Sequence, residues 1–141
     1  MWQWADIILL PSSSVGEVGQ SPAENASLKE LALVIPVLPG MADEVEGFAA
    51  ELSGPRAADF ACSQGRLGVD HESWFLNRSP AGDSVTIYLE AEDVVRVFAG
   101  LIASTDSVDV WLKAEVRRLT GIELGSSFAF AIPKQLLRFR R

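Results

Sequence analysis

The only histidine, the only tyrosine and Glu90 supply most of what could do chemistry in this chain, and they cluster at one place: His71 followed directly by ESWFLNRSPAGDSVTIYLE, residues 72–90. An imidazole titrates near neutrality, so His71 could serve as a general base or as an axial haem ligand, although a lone histidine is more often a hydrogen-bonded structural residue. A carboxylate beside it would raise its pKa and orient the ring, which makes His71 and Glu90 the candidate catalytic pair. Tyr88 and Glu90 together offer a phenol and a carboxylate that could orient an oxygenated aromatic ligand, or serve an inter-subunit hydrogen-bond network. With Phe75 and Ser73 added, the candidate ligand-binding set is Phe75, Tyr88, Ser73, Glu90 and His71. One histidine and one cysteine, Cys62, argue against a structural zinc site. No phosphate loop, dinucleotide fingerprint or serine elbow is present, and no cofactor is implied.

These side chains need a β-hairpin to hold them. Two runs rich in β-branched and aromatic residues flank Ser79-Pro80-Ala81-Gly82-Asp83, a cluster of turn formers. If Pro80 to Asp83 form the loop, Ser79 faces Ser84, Glu90 lies across from Ser73, and Glu92 across from His71. Alternation with period two then puts Trp74, Leu76, Val85, Ile87 and Leu89 on one face, and His71, Ser73, Phe75, Asn77, Thr86, Tyr88 and Glu90 on the other. The first face is uniformly apolar and calls for a cover of helices. The second mixes aromatic and polar groups, so it is either wet or packed against something that satisfies it. Glu72 and Arg78 flank the apolar stripe as charged rims that could pair with helix charges.

Upstream, Leu31 to Val37 reads as a buried strand stopped by Pro36 and Pro39-Gly40. The following helix shows Met41, Val45, Phe48 and Leu52 on one side. Gly54-Pro55 interrupts it, and Pro55 starts a second helical piece that carries Phe60 and Leu67 inward and ends at Gly65 or Gly68. Arg56, at that helix start, is a candidate anion contact, and Cys62, among alanines, reads as a small buried residue. Downstream, Asp93 caps a helix bearing Val94, Val97, Phe98, Leu101 and Ile102. A further helix runs from about Ser107 to Thr120, stopped by Gly121. Two strand-like runs follow, Phe128 to Ile132 and Leu136 to Arg140, separated by Pro133, and either could join the sheet. Strand, helix, hairpin, helix, strand is the β-α-β-β-α-β order of a ferredoxin-like α+β fold, an antiparallel sheet with helices on one face. Its other face holds too much aromatic surface to leave in water, and two such sheets packed together make a dimeric α+β barrel.

Composition supports one globular domain, residues 31–141 with a C-terminal extension from about 125, after a flexible arm over 1–30 rich in Ser, Gly, Pro and Glu. Within that arm Trp2, Trp4, Ile7 and Leu9 form either a strip that docks on the body or a neighbouring subunit, or a disordered leader. A net charge of −7 argues against nucleic acid. Lys134, Arg138, Arg140 and Arg141 concentrate basic charge in the tail of an otherwise acidic chain, an arrangement suited to pairing within the domain or with a sister subunit. The apolar run at residues 1–10 is too short to span a bilayer and lacks Lys or Arg, so no membrane partner is expected. A single cysteine fits a reducing compartment, and the expected location is the cytoplasm.

The pieces VIPVLPG (34–40), ELSGPR (51–56), GVDHESWFLNRSPAGD (68–83) and YLEAED (88–93) resemble a family of small bacterial proteins of unassigned activity, related to the dimeric α+β barrel superfamily. The resemblance covers about Leu31 to Leu124. It implies a homodimer, and it brings no catalytic residue. Barrel relatives include haem-degrading and quinone-forming monooxygenases as well as proteins that only bind small molecules. Three readings stay open: a homodimeric barrel binding a small aromatic or oxygenated molecule, an interaction protein whose sheet face serves only dimerisation, and a cofactor-free monooxygenase or isomerase. Tyr88→Phe separates the first two. Dimer stability measured by dilution should barely change if the face is a pocket, and should fall if the hydroxyl bridges subunits.

Overall fold

The computed structural model describes residues 27–125 and 132–141, and these form an α+β structure in the order β1 (Glu30–Pro36), α1 (Ala42–Ser53), α2 (Ala57–Leu67), β2 (Val69–Asn77), β3 (Ser84–Ala91), α3 (Val94–Ala103) and α4 (Ser107–Thr120). The three strands make one antiparallel sheet in the order β1-β3-β2, with β3 in the centre. Of the two tail runs expected to add a strand, Leu136 to Arg140 is irregular and exposed, and most of the other lies outside the described residues. Side chains of the tail reach the sheet instead of its backbone. Gln135, Arg138 and Arg140 all approach Glu30.

Alternation in β1 and β3 sorts the two faces. Leu31, Leu33, Val85 and Leu89 are buried beneath the helices, while Ala32 and Val34 point the other way and are exposed. One part of the core gathers Val37, Val45, Phe48, Leu52, Val85, Leu112 and Leu119; a second gathers Leu31, Leu33, Leu89, Ala91, Val94 and Val97. Phe48 anchors the first, its ring 5.5 Å from that of Trp74 and 5.3 Å from that of Trp111. A cavity of about 110 Å³ remains between sheet and helices. An unfilled volume of that size costs roughly 2–3 kcal/mol.

The hairpin register differs from the expected one by two residues. Asn77, not Ser79, faces Ser84, so Ser73 pairs with Tyr88 and His71 with Glu90. The cause is the turn. The Ser79 carbonyl accepts from Gly82 N at 3.0 Å, its amide donates to the Asp83 carboxylate at 3.1 Å, and its hydroxyl accepts from Ala81 N at 3.1 Å. With its backbone and side chain committed inside the loop, Ser79 has nothing left for the ladder. A shift of two preserves parity, so every residue stays on its expected face. Past His71 the pairing is irregular and resumes at Val69 opposite Ala91, which leaves Glu92 outside the ladder.

The helix boundaries follow local chemistry. Gly68 ends α2 in the left-handed region, φ +83°, and Gly121 ends α4 at φ +75°. Asp93 caps α3 by accepting from Arg96 N. At the other end of α3, the ammonium of Lys113 donates to the carbonyls of Ile102 (3.0 Å) and Ser104 (2.8 Å), a cap supplied by α4. Cys62, expected inside, is exposed. Phe60, Ser63 and Leu67 form the inward stripe of α2 at spacings of three and four, and Cys62 falls off it.

Asp109 ties the helical layer together. Its side chain is 0% exposed, accepts from the Ser63 hydroxyl, and takes further hydrogen bonds at 2.5 Å from Arg66 Nη2 of α2 and from Ser104 Oγ in the α3–α4 connection. Burial pushes its pKa up, but the hydrogen bonds from Ser104, Ser63 and Arg66, with the Arg66 charge, outweigh burial and hold the carboxyl below its ordinary value. A carboxyl depressed by folding contributes stability above its unfolded pKa and loses it as pH falls through the lower folded value. We therefore expect Asp109→Ala to cost about 3 kcal/mol in urea unfolding at neutral pH. The gap between wild type and Asp109→Asn should close as the pH falls below about 4.

Candidate functional site

The uncovered face of the sheet brings the expected residues together in cross-strand rows. His71 lies opposite Glu90, which lies opposite Glu30; Ser73 lies opposite Tyr88, which lies opposite Ala32; Phe75 lies opposite Thr86, which lies opposite Val34. Side chains that share a row on one face are neighbours, so His71, Ser73, Tyr88 and Glu90 form one patch and Phe75 sits one row beyond it.

At the centre is the Tyr88 hydroxyl, 2.5 Å from Glu90 Oε1 and 2.9 Å from Glu30 Oε2. A phenol has one proton to donate, so two carboxylates compete for it. Its ionisation would place a third negative charge between them. The hydrogen bond to Glu90, burial, and the bond and charge of Glu30 accordingly push the phenol pKa far above its ordinary value of 10.0. Glu30 itself is held below the usual carboxylate value, chiefly by hydrogen bonds from Gln135 and Tyr88 and then by the Arg138 and Arg140 charges, which outweigh burial. The Gln135 amide donates at 2.6 Å, Arg138 Nε lies at 3.3 Å, and Arg140 lies 4.0 Å from both Glu30 and Glu90. The basic tail thus folds back onto the acidic corner of its own sheet.

His71 Nε2 lies 3.0 Å from Ser73 Oγ, and its ring meets Tyr88 edge-on at 5.9 Å. Farther along, the Asn77 amide donates to Thr86 Oγ1 at 2.9 Å, while Phe75 and Val34 stay 56% and 67% exposed. The patch therefore has a polar end under the tail and an apolar end that no described residue covers.

Other candidates fall elsewhere. The Arg56 guanidinium lies 2.9 Å from Glu51 and 4.0 Å above the Trp111 ring, so an acidic side chain and an aromatic face already occupy the expected anion contact. Arg78 pairs with Asp43 and Glu46 of α1 at 2.8 and 3.2 Å, and Glu72 turns inward to the Trp74 indole and Gln64. Among the described residues no group of three or more His, Cys, Asp and Glu side chains could hold a metal, and no helix is long and apolar enough to cross a membrane. Glu30 was missed by placing the strand start one residue late; the parity of Ala32 and Val34 was the available signal. Nothing in the local sequence marks Gln135.

Comparison of the chain with protein-family models, with curated proteins and with solved structures gives no match.

Tyr88 is the only tyrosine, so tyrosinate absorbance reports it alone. Spectrophotometric titration should show little ionisation at pH 10, and Glu90→Gln should shift the curve toward the ordinary phenol value. A wild-type titration centred at 10 would sever the phenol from both carboxylates.

Proposed function

We propose that the chain works as a homodimer, two copies packing their uncovered sheet faces into a dimeric α+β barrel, and that the chamber between them binds a small aromatic or oxygenated molecule. The observation that carries this reading is the row Val34, Thr86, Phe75: an exposed aromatic ring and an exposed aliphatic side chain on the face opposite the helices, one row from a hydrogen-bonded phenol. The apolar end supplies contact area for a second copy, and aromatic side chains dominate such contacts. The polar end, with Ser73, His71, Tyr88 and Glu90, supplies the chamber wall. A fourth strand after α4 would meet the outer edge of β1, which no described strand covers, and would complete the ferredoxin-like order.

His71 rests against Ser73 and Glu90 against Tyr88, contacts that fix these side chains as a wall able to orient a bound molecule. One observation favours the rival reading of a pure interaction face. Glu30, Tyr88 and Glu90 are already partnered by one another and by the tail, which would suit a dry contact.

Sedimentation velocity and native mass spectrometry test both parts. Wild type should run as a dimer, and Phe75→Glu should shift it to monomer by placing a charge in the contact, with helical content unchanged by circular dichroism. A retained small-molecule mass on the dimer supports the chamber; a clean dimer that takes up no aromatic probe supports the interaction face. A wild-type monomer at all concentrations rejects the barrel.

A further inference from the structure

The cavity on the other side of the sheet has a polar pole and a mouth. Leu33, Ile87 and Leu89 of the sheet, Leu67 of α2, Leu101 of α3 and Val116 of α4 contribute to an almost wholly apolar lining around about 110 Å³. Apolar cavities of about 150 Å³ admit a benzene ring, so this one is close to the size of a single ring that keeps one end in the mouth. Ser63, Gln64, Glu72 and Thr120 interrupt the lining, and of these the Ser63 and Thr120 hydroxyls are already donated to Asp109 and to the Val116 carbonyl. Glu72 is an acid on the inner face of β2, between apolar neighbours, where a carboxylate is costly unless it is hydrogen-bonded. Its Oε1 accepts from Trp74 Nε1 at 2.6 Å and its Oε2 accepts from the Gln64 amide. Those two bonds fix the carboxylate, and each oxygen keeps a lone pair for a further donor.

Outside the cavity lies a more open cleft of about 260 Å³, lined by Ala49, Leu52 and Ser53 of α1 with Phe60, Glu72 and Trp74. Phe60, Glu72 and Trp74 line both spaces. They stand where cleft and cavity meet, beside β2, whose outer edge carries no described strand. A ring entering from the cleft would pass between Phe60 and Trp74 and leave its polar atom at Glu72.

We propose that this cavity is a binding site for a small phenol, its ring in the apolar interior and its O–H donated to Glu72. The Glu72 carboxylate at this pole accepts hydrogen bonds and repels negative charge, so it selects against anions and against hydrocarbons that offer it nothing. The site is separate from the outer face of the sheet, and its test does not depend on the dimer.

The experiment is a phenol titration of the full-length protein followed by thermal melting and by tryptophan fluorescence. Phenol at a hundredfold excess over its Kd should raise the melting temperature by about 5 °C or more. Toluene, the same ring with a methyl in place of the hydroxyl, should bind about tenfold more weakly. Glu72→Leu should abolish that preference. Val116→Phe and Leu101→Phe, which fill the interior, should abolish phenol binding while leaving the circular dichroism spectrum unchanged. Absence of saturable phenol binding overturns the proposal. So does binding that survives both filling substitutions, or binding lost in Phe75→Glu instead, which would belong to the outer face.

Discussion

The structure depends on the central position of β3. Both neighbouring strands take their register from it, and each of its side chains is committed to one of two environments: Val85, Ile87 and Leu89 to the helices, Ser84, Thr86, Tyr88 and Glu90 to the opposite face. No residue of β3 can move by one position without exchanging these roles all along the strand. The core beneath and the patch above are therefore two consequences of a single constraint. The rows that bring His71, Ser73 and Glu30 to the patch are set by the same hydrogen bonds that align Leu31 and Trp74 with the core.

That constraint explains which features could be read in advance. The separation of faces was legible because it needs only period two, and it tolerated an error of two residues in the loop. The register was not, because Ser79 looks like a strand end until its carbonyl, amide and hydroxyl are seen to be used inside the turn. The helix end at Gly121 and the Asp93 cap were legible from local chemistry, whereas the end of α2 was narrowed only to Gly65 or Gly68, and Gly68 takes it. Asp109 was not. An acid in a first helical turn reads as a solvated partner of the helix dipole, and only the approach of Ser63, Arg66 and Ser104 from other segments makes it a buried hub. Glu30 and the tail that meets it are far apart in sequence, and charge alone does not say which acid a basic segment would choose.

Electrostatics divides the molecule in a similar way. The one fully buried carboxylate, among the described residues, joins helices within the core; the partly exposed pair at Glu30 and Glu90 receives the tail. Exposed pairs of the second kind are individually weak, so the tail is held by several contacts rather than by one. The inner pole at Glu72 differs from both. Its partners are neutral groups, an indole and an amide, which hold the carboxylate in place without neutralising it.

The sheet also implies an order of assembly. Asn77 and Ser84 close a short loop, whereas Leu31 must find Leu89 across two helices and a hairpin, and loop-closure entropy grows with the chain enclosed. Loop closure alone therefore favours pairing within the hairpin over pairing of β1. Glu30 belongs to β1, so the phenol has its second carboxylate, and the tail its anchor, only when β1 is docked. The hairpin by itself carries His71, Ser73 and Tyr88, yet the acidic corner is complete only with the third strand in place.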